Sequence, residues 1–156
     1  MEFSYKYNSK IGDIYITADE NSLLSVGFKE KTGIQTGKND VIKAVVKQFD
    51  EYFSGKRKTF DLPLNPKGSE FQKKVWKELK KIPYGETRSY KEIAAAIGNP
   101  DAARAVGNAN NKNPIAIIIP CHRIIGSNRR LIGYAGGIDK KEILLKLEKS
   151  GIYLSS

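Results

Sequence analysis

Few residues in this chain have the types and spacing to do chemistry. The only cysteine, Cys121, and the only histidine, His122, stand side by side in Pro120-Cys121-His122-Arg123. A thiol is a strong nucleophile only as its thiolate, and a nearby base or cation favours that form. Neighbours in sequence need not face each other, but a turn in the backbone would let His122 reach the thiol through a water. The imidazole would then need an acceptor to orient it. Glu148 is the acid expected to point inward, because it lies four residues after Leu144 and shares its helical face. A carboxylate buried there requires a partner. Arg123 adds local positive charge. A lone cysteine is more often a small buried hydrophobe, so these residues alone leave an inert core thiol open.

The same scarcity excludes other chemistry. One cysteine cannot form an internal disulfide, and one cysteine with one histidine cannot build the usual multi-ligand zinc site. Residues 1–68 contain neither type, so no metal is expected there, and no cofactor is required elsewhere.

The elements that position these residues can be read from the pattern. Runs 2–7, 13–18 and 22–28 carry β-formers separated by turn residues, which predicts a small antiparallel sheet. Val41, Val45, Gln48, Phe49, Tyr52 and Phe53 recur at helical spacing over 40–53, and Gly55 follows as a stop. Two prolines and a glycine in 60–68 read as a link between lobes. Ser69 with Gln72, and Ser89 with Glu92, are capping-box signatures that open two helices. Gly98-Asn99-Pro100 breaks the second, with Asn99 as cap and Pro100 as first residue of a helix through Ala102, Ala103, Arg104, Ala105 and Val106. Two short helices joined by a turn of three or four residues read as a helix-turn-helix. The second is small-sided except for Arg104, which permits close approach to another surface, either a neighbouring helix or a ligand. Ile115, Ile117 and Ile119 predict a short buried extended run. Four glycines in 126–137 suggest a loop that approaches something closely. A final helix is predicted from Asp139, with Glu142 at the capping-box position.

At 156 residues and 40% apolar content, the chain can bury a core without staples. It has no stretch of roughly 20 apolar residues and no signal-peptide pattern, which predicts a soluble protein of the cytoplasm, or of the nucleus in a eukaryote, with no membrane partner. Its net charge of +10 is uneven. Residues 1–68 hold 11 basic and 9 acidic side chains, residues 69–156 hold 16 and 8. A basic second half suggests a polyanionic partner, nucleic acid first; a lysine-rich solvated surface is the bland alternative.

The run Asn113-Pro114-Ile115-Ala116-Ile117-Ile118-Ile119-Pro120-Cys121-His122-Arg123 resembles the active-site signature of the O6-alkylguanine-DNA alkyltransferases. Arg104-Ala105-Val106-Gly107 and Gly133-Tyr134-Ala135-Gly136-Gly137 extend the resemblance, which covers residues 69 to about 150 with the family's spacing. It implies an α+β fold: a ribonuclease H-like N-terminal domain over 1–62, a linker over 63–68, and over 69–156 a mostly helical domain with a winged helix-turn-helix. It implies irreversible, single-turnover transfer of the alkyl group from O6-alkylguanine, and from O4-alkylthymine, to Cys121 after base flipping from the minor groove. His122 would activate Cys121 through a water, Glu148 would orient His122, and Asn113 would hold the turn before the active-site segment. Tyr90 would help rotate the nucleotide, and Tyr134, Ala135 and Gly136 would line its pocket. Arg104 would fill the vacated stack, with Ala102 and Ala103 in the groove and Arg123 among the DNA-binding residues. The partner would be double-stranded DNA containing alkylated guanine, bound by a monomer with cooperation between copies left open.

Two departures bear on substrate preference. Ala135 stands where many relatives have serine, and Asn128-Arg129-Arg130 occupies a loop where glycine is common. Three other readings compete. A non-catalytic lesion-binding relative would have another residue in place of Cys121. A cysteine hydrolase would leave Arg104 and the helix-turn-helix without a role. A plain helix-turn-helix regulator would not need the thiol.

Overall fold

The computed structural model describes residues 1–126, 134 and 136–150, the last by its backbone alone. Strands β1 (Phe3–Ser9), β2 (Gly12–Ala18) and β3 (Leu23–Gly27) form the antiparallel meander that the early pattern predicts. A two-residue strand, β4 (Gln35–Thr36), pairs in parallel with β1, giving the order β3-β2-β1-β4. Helix α1 (Asp40–Phe53) is capped by Asn39, whose side chain accepts from the Ile42 amide, and ends at Gly55, whose φ of 78° suits glycine. Its apolar stripe buries Val41, Ile42, Val45, Phe49, Tyr52 and Phe53 in a core shared with Ile14 and Ile16 of the sheet.

The free edge of β3 is covered by two segments from outside the sheet. Leu23 exchanges backbone bonds with Pro63 and Asn65, and Val26 does so with Pro114 and Ala116. Covering an edge in this way prevents strand addition. Here it also ties the first lobe to the segment that leads into Cys121.

Helix α2 (Glu70–Leu79) begins with both bonds of the Ser69–Gln72 capping box. Strand β5 (Arg88–Ser89) leads into helix α3 (Tyr90–Ala96), which carries the Ser89–Glu92 box. Helix α4 (Ala103–Asn111) packs on α2 and α3, and the Trp76 indole of α2 donates to the Ala109 carbonyl at 2.8 Å. The α3–α4 pair is the helix-turn-helix. A short 3-10 turn (Cys121–Arg123) precedes β6 (Ile124–Ile125), which pairs in parallel with β5, and helix α5 (Ile138–Ser150) closes the domain. The fold is α+β.

Four local expectations are corrected. Asn99 does not cap α4: its carbonyl accepts from Ala102 in a turn, and the helix starts only at Ala103 after a connection of six residues. Ala102 is therefore the N-cap, without a capping side chain, rather than a helical residue. The Ile115–Ile119 run is buried as expected, but after Ile115, which bridges to Val26, it is wound into turns rather than extended, held by local backbone bonds and by Asn113. Helix α5 starts at Ile138, which puts Asp139 in its first turn and not at its cap. Residues 127–133 and 135, including Asn128, Arg129, Arg130, Gly133 and Ala135, lie outside the described residues.

Candidate active site

Cys121 sits at the start of the 3-10 turn, 4% exposed. The turn is set by the segment before it. Asn113 donates from Nδ2 to the carbonyls of Ile115 (3.3 Å) and Ile119 (2.9 Å), and its Oδ1 accepts from the Ile115 amide at 3.0 Å. Within this loop Ile117 has a φ of 73°. A β-branched residue in the left-handed region stores of order 1–3 kcal/mol. The Ile117 amide and the Asn113 side chain lie beside the Cys121 thiol and favour its ionised form.

Burial pushes the thiol up from its ordinary pKa, while the Asn113 bond and the charge of Lys141 pull it down. Lys141 was not among the residues singled out from the sequence. It is fully buried on α5, and burial lowers its ammonium to about 8, with the Cys121 charge opposing that shift. The available signal was spacing: Lys141, Leu144 and Glu148 are three and four residues apart and share one helical face.

His122 has no exposed surface. Its Nε2 lies 2.6 Å from Glu148 Oε2. Arg123 grips the same carboxylate, Nε to Oε1 at 2.7 Å and Nη2 to Oε2 at 3.0 Å, and its Nη1 donates to the Ile82 carbonyl at 2.7 Å. Burial alone would raise the Glu148 carboxyl, but His122 and Arg123 outweigh it and hold it well below the usual carboxylate range. The carboxylate is thus ionised, which assigns the imidazole proton to Nε2 and leaves Nδ1 as an acceptor. Nδ1 is buried and has no hydrogen-bond partner among the described residues. Burial lowers the His122 pKa, with Glu148 opposing and Arg123 and Lys141 reinforcing the shift. A neutral imidazole with a bare Nδ1 can accept a proton.

Arg123, expected among the DNA-binding residues, is turned inward. Its guanidinium is 6% exposed, is committed to Glu148 and Ile82, and packs 5.8 Å from the Tyr84 ring. A cation so engaged cannot reach a phosphate without giving up its ion pair with Glu148.

Two tyrosines flank the thiol. Tyr90, the first residue of α3, is half-buried, and its hydroxyl pKa is raised by burial and then by the Cys121 charge. Tyr134 is raised well above its ordinary value by burial, then by Cys121 and Glu148. The Tyr134 hydroxyl is buried without a partner among the described residues. Gly136 lies beside Tyr134 and against Phe28 of the first lobe. Arg104 and Ala105 are exposed on α4, Ala102 and Ala103 are half-buried at its start, and a side chain on Gly107 would touch the Tyr90 ring. The structure therefore gathers Cys121, His122, Glu148, Asn113, Tyr90 and Tyr134, and sets Arg104 apart on the exposed face of α4.

Among the described residues no helix is long and apolar enough to cross a membrane. Family models match both parts of the chain: the ribonuclease-like domain of 6-O-methylguanine DNA methyltransferase over residues 4–66 and its DNA-binding domain over 70–150. A methylated-DNA–protein-cysteine methyltransferase of Methanosarcina acetivorans is 53% identical over 150 residues, 92% of this chain and 96% of that protein. The crystal structure of Mycobacterium tuberculosis OGT in complex with DNA has a TM-score of 0.91 at 46% identity, covering 97% of this chain and 95% of that one. The crystal structure of the M. tuberculosis O6-methylguanine methyltransferase has a TM-score of 0.89 at 44% identity, covering 99% of this chain and 97% of that one. The chain belongs to the 6-O-methylguanine DNA methyltransferase family.

Proposed function

We propose that the protein repairs DNA directly, as a methylated-DNA–protein-cysteine methyltransferase whose acceptor is Cys121. The observation that carries this reading is the buried thiol, flanked by Tyr90 and Tyr134 and followed by a histidine locked to Glu148. In the step, the thiol proton passes through a water to His122 Nδ1. The sulfur attacks the saturated carbon, forming an S–C bond as the C–O6 bond breaks. The electron pair goes to the purine, which takes a proton from a donor such as the Tyr90 hydroxyl. Nothing in the step regenerates the thiol, so each chain acts once.

The target carbon is out of reach while guanine is stacked, so the base must be extruded into the pocket beside Cys121. Arg104 is suited to fill the gap, since it is the one long cation on the exposed, small-sided face of α4. The DNA is held by the domain over 69–156, joined through the linker at 63–68 to the domain over 1–62. The same reading places the protein where DNA is, in the cytoplasm or in a eukaryotic nucleus.

The decisive experiment is intact-mass measurement after incubation with O6-benzylguanine. One benzyl adduct per chain on Cys121 is the expected result. Repeated release of product without an adduct would mean a hydrolase instead.

A further inference from the structure

The first lobe contains neither cysteine nor histidine, yet it sends one polar atom into the centre of the site. Tyr52 lies on α1, is fully buried, and donates its hydroxyl to Glu148 Oε2 at 2.6 Å. The two residues are 96 positions apart in sequence. Oε2 therefore receives three donors, from Tyr52, His122 and Arg123, while Oε1 receives one. An Arg123 fork alone would let the carboxylate shift within the plane of the guanidinium. A hydroxyl approaching from another element removes that freedom and fixes the lone pair that meets His122 Nε2.

The ring of Tyr52 is itself held in place. It meets Phe53 at 5.2 Å and 82°, Phe60 at 5.3 Å, and Tyr84 edge-on at 6.3 Å. A ring locked on three sides delivers its hydroxyl to one point. Burial, then the Glu148 charge and hydrogen bond, hold that hydroxyl protonated well beyond neutral pH, so it stays a donor throughout the working range.

We propose that Tyr52 is a positioning residue for alkyl transfer, through which the first lobe fixes the Glu148–His122 pair and sets the basicity of His122. This rests on Cys121 transfer with His122 as base. A donor on Oε2 withdraws charge from the oxygen that faces the imidazole. Removing it makes His122 more basic, and strengthening it makes His122 less basic. The other charged and titratable groups near the imidazole are Arg123 and Cys121 from its own turn, Lys141 and Glu148 from α5, and Tyr134; the Tyr52 variants leave all of these side chains in place and reach His122 through the Glu148 carboxylate.

The test is the pH profile of single-turnover transfer from free O6-benzylguanine, read as adduct mass against time, for the full-length parent and two variants. Tyr52→Phe removes the hydroxyl and keeps the ring. Its plateau rate should fall about 10-fold, the low end of the loss seen when an outer partner that orients a metal-bound imidazole is removed. Its acid limb should move to higher pH by about half a unit or more. The second variant carries ortho-fluorotyrosine at position 52, a stronger donor of nearly the same shape, and its acid limb should move to lower pH. Opposite displacements by the two variants are the expected result; a purely structural role moves neither limb. A Tyr52→Phe profile that overlays the parent overturns the inference. If Tyr52→Phe does not fold, the fluorinated variant decides, and an unmoved limb overturns it. Absence of an adduct in the parent overturns the transfer reading itself, whatever the variants do.

Discussion

The ring of Phe28, from the first lobe, occupies the space where a side chain on Gly136 would begin. A Cβ at Gly136 would lie 2.6 Å from Phe28 Cδ2 and 2.9 Å from Lys140 Cδ, and Phe28 also packs on Tyr134 with ring centroids 5.8 Å apart. One lobe thus meets Tyr134 and Gly136 of the other beside the thiol. Lys140 can swing aside, but Phe28 can do so only by giving up its ring contact with Tyr134. Gly136→Ala should therefore destabilise the protein by about 1–3 kcal/mol and slow transfer. In a Phe28→Ala background the same change should cost less, with a coupling of order 1 kcal/mol between the two sites. Denaturant unfolding of the four proteins measures it. Additive effects would mean the lobes do not meet at this point in solution.

Cys121→Ser should abolish alkyl transfer and leave duplex binding near the parent level. A serine hydroxyl is scarcely ionised near neutral pH, so nucleophilicity collapses, while the exposed face of α4 is unchanged. Adduct mass and a binding titration report the two properties separately. Transfer by the serine variant at a rate close to the parent would refute the assignment of the acceptor.

Lys141 offers a test of charge without change in the acceptor. Its ammonium titrates at about 8 and helps the buried thiol ionise. Lys141→Met should slow transfer about 10-fold at pH 7, the effect of one unit in the thiol pKa. As pH rises through 8 the parent loses the Lys141 charge, so the ratio of parent to variant rates should shrink. A ratio that stays constant from pH 6.5 to 9.5 would show that Lys141 acts through packing alone.

The Glu148 carboxyl is held below its ordinary value in the folded state by His122 and Arg123, against the pull of burial. A depressed folded pKa contributes stability that is complete above the unfolded value of about 4.3 and fades as pH falls through the folded value. The parent should lose stability progressively below about pH 4.5, partly through this group. Glu148→Gln should lack that component. It should also be less stable at pH 7 by about 3–5 kcal/mol, because Arg123 remains buried with no opposing charge. Thermal melts of both proteins from pH 3 to 7 give the comparison. Parallel curves would mean that Glu148 is not the ionised partner of the pair.

Much of this organisation is legible in the sequence, and the parts that are not have physical causes. The Ser69 and Ser89 caps read correctly because a capping box is closed within four residues. The inward turn of Glu148 follows from its spacing to Leu144. Strand β4 escaped because it is two exposed polar residues long and exists only through its pairing with β1. The isoleucines of 115–119 alternate like a strand, but local backbone bonds and the Asn113 side chain, reaching six residues along the chain, make turns of them. Arg123 reads as a surface cation next to a reactive centre, and only the fold brings Glu148 and Ile82 to it from 25 and 41 residues away. Tyr52 reads as core, which it is; its hydroxyl finds a role only because α1 and α5 meet.

Arg104 separates base extrusion from chemistry. It is exposed near the start of α4, between the half-buried Ala103 and the exposed Ala105, and it lies on a different element from every group that surrounds Cys121. If it fills the vacated stack, it matters only when the guanine starts inside a duplex. Arg104→Ala should then slow repair of O6-methylguanine in double-stranded DNA while leaving reaction with free O6-benzylguanine nearly unchanged. Loss of a stack-filling contact of order 1–3 kcal/mol corresponds to about 5- to 150-fold in rate. A phosphate contact makes a different forecast: weaker binding that higher protein concentration recovers, with a normal rate at saturation and a shallower salt dependence. The rate must therefore be taken at saturating protein, on duplex and on free base in parallel. Equal losses on both substrates would mean that Arg104 supports the fold or the thiol. A normal duplex rate at saturation would leave it as a phosphate contact, and extrusion would have to fall to Tyr90, the other large side chain between α4 and the pocket.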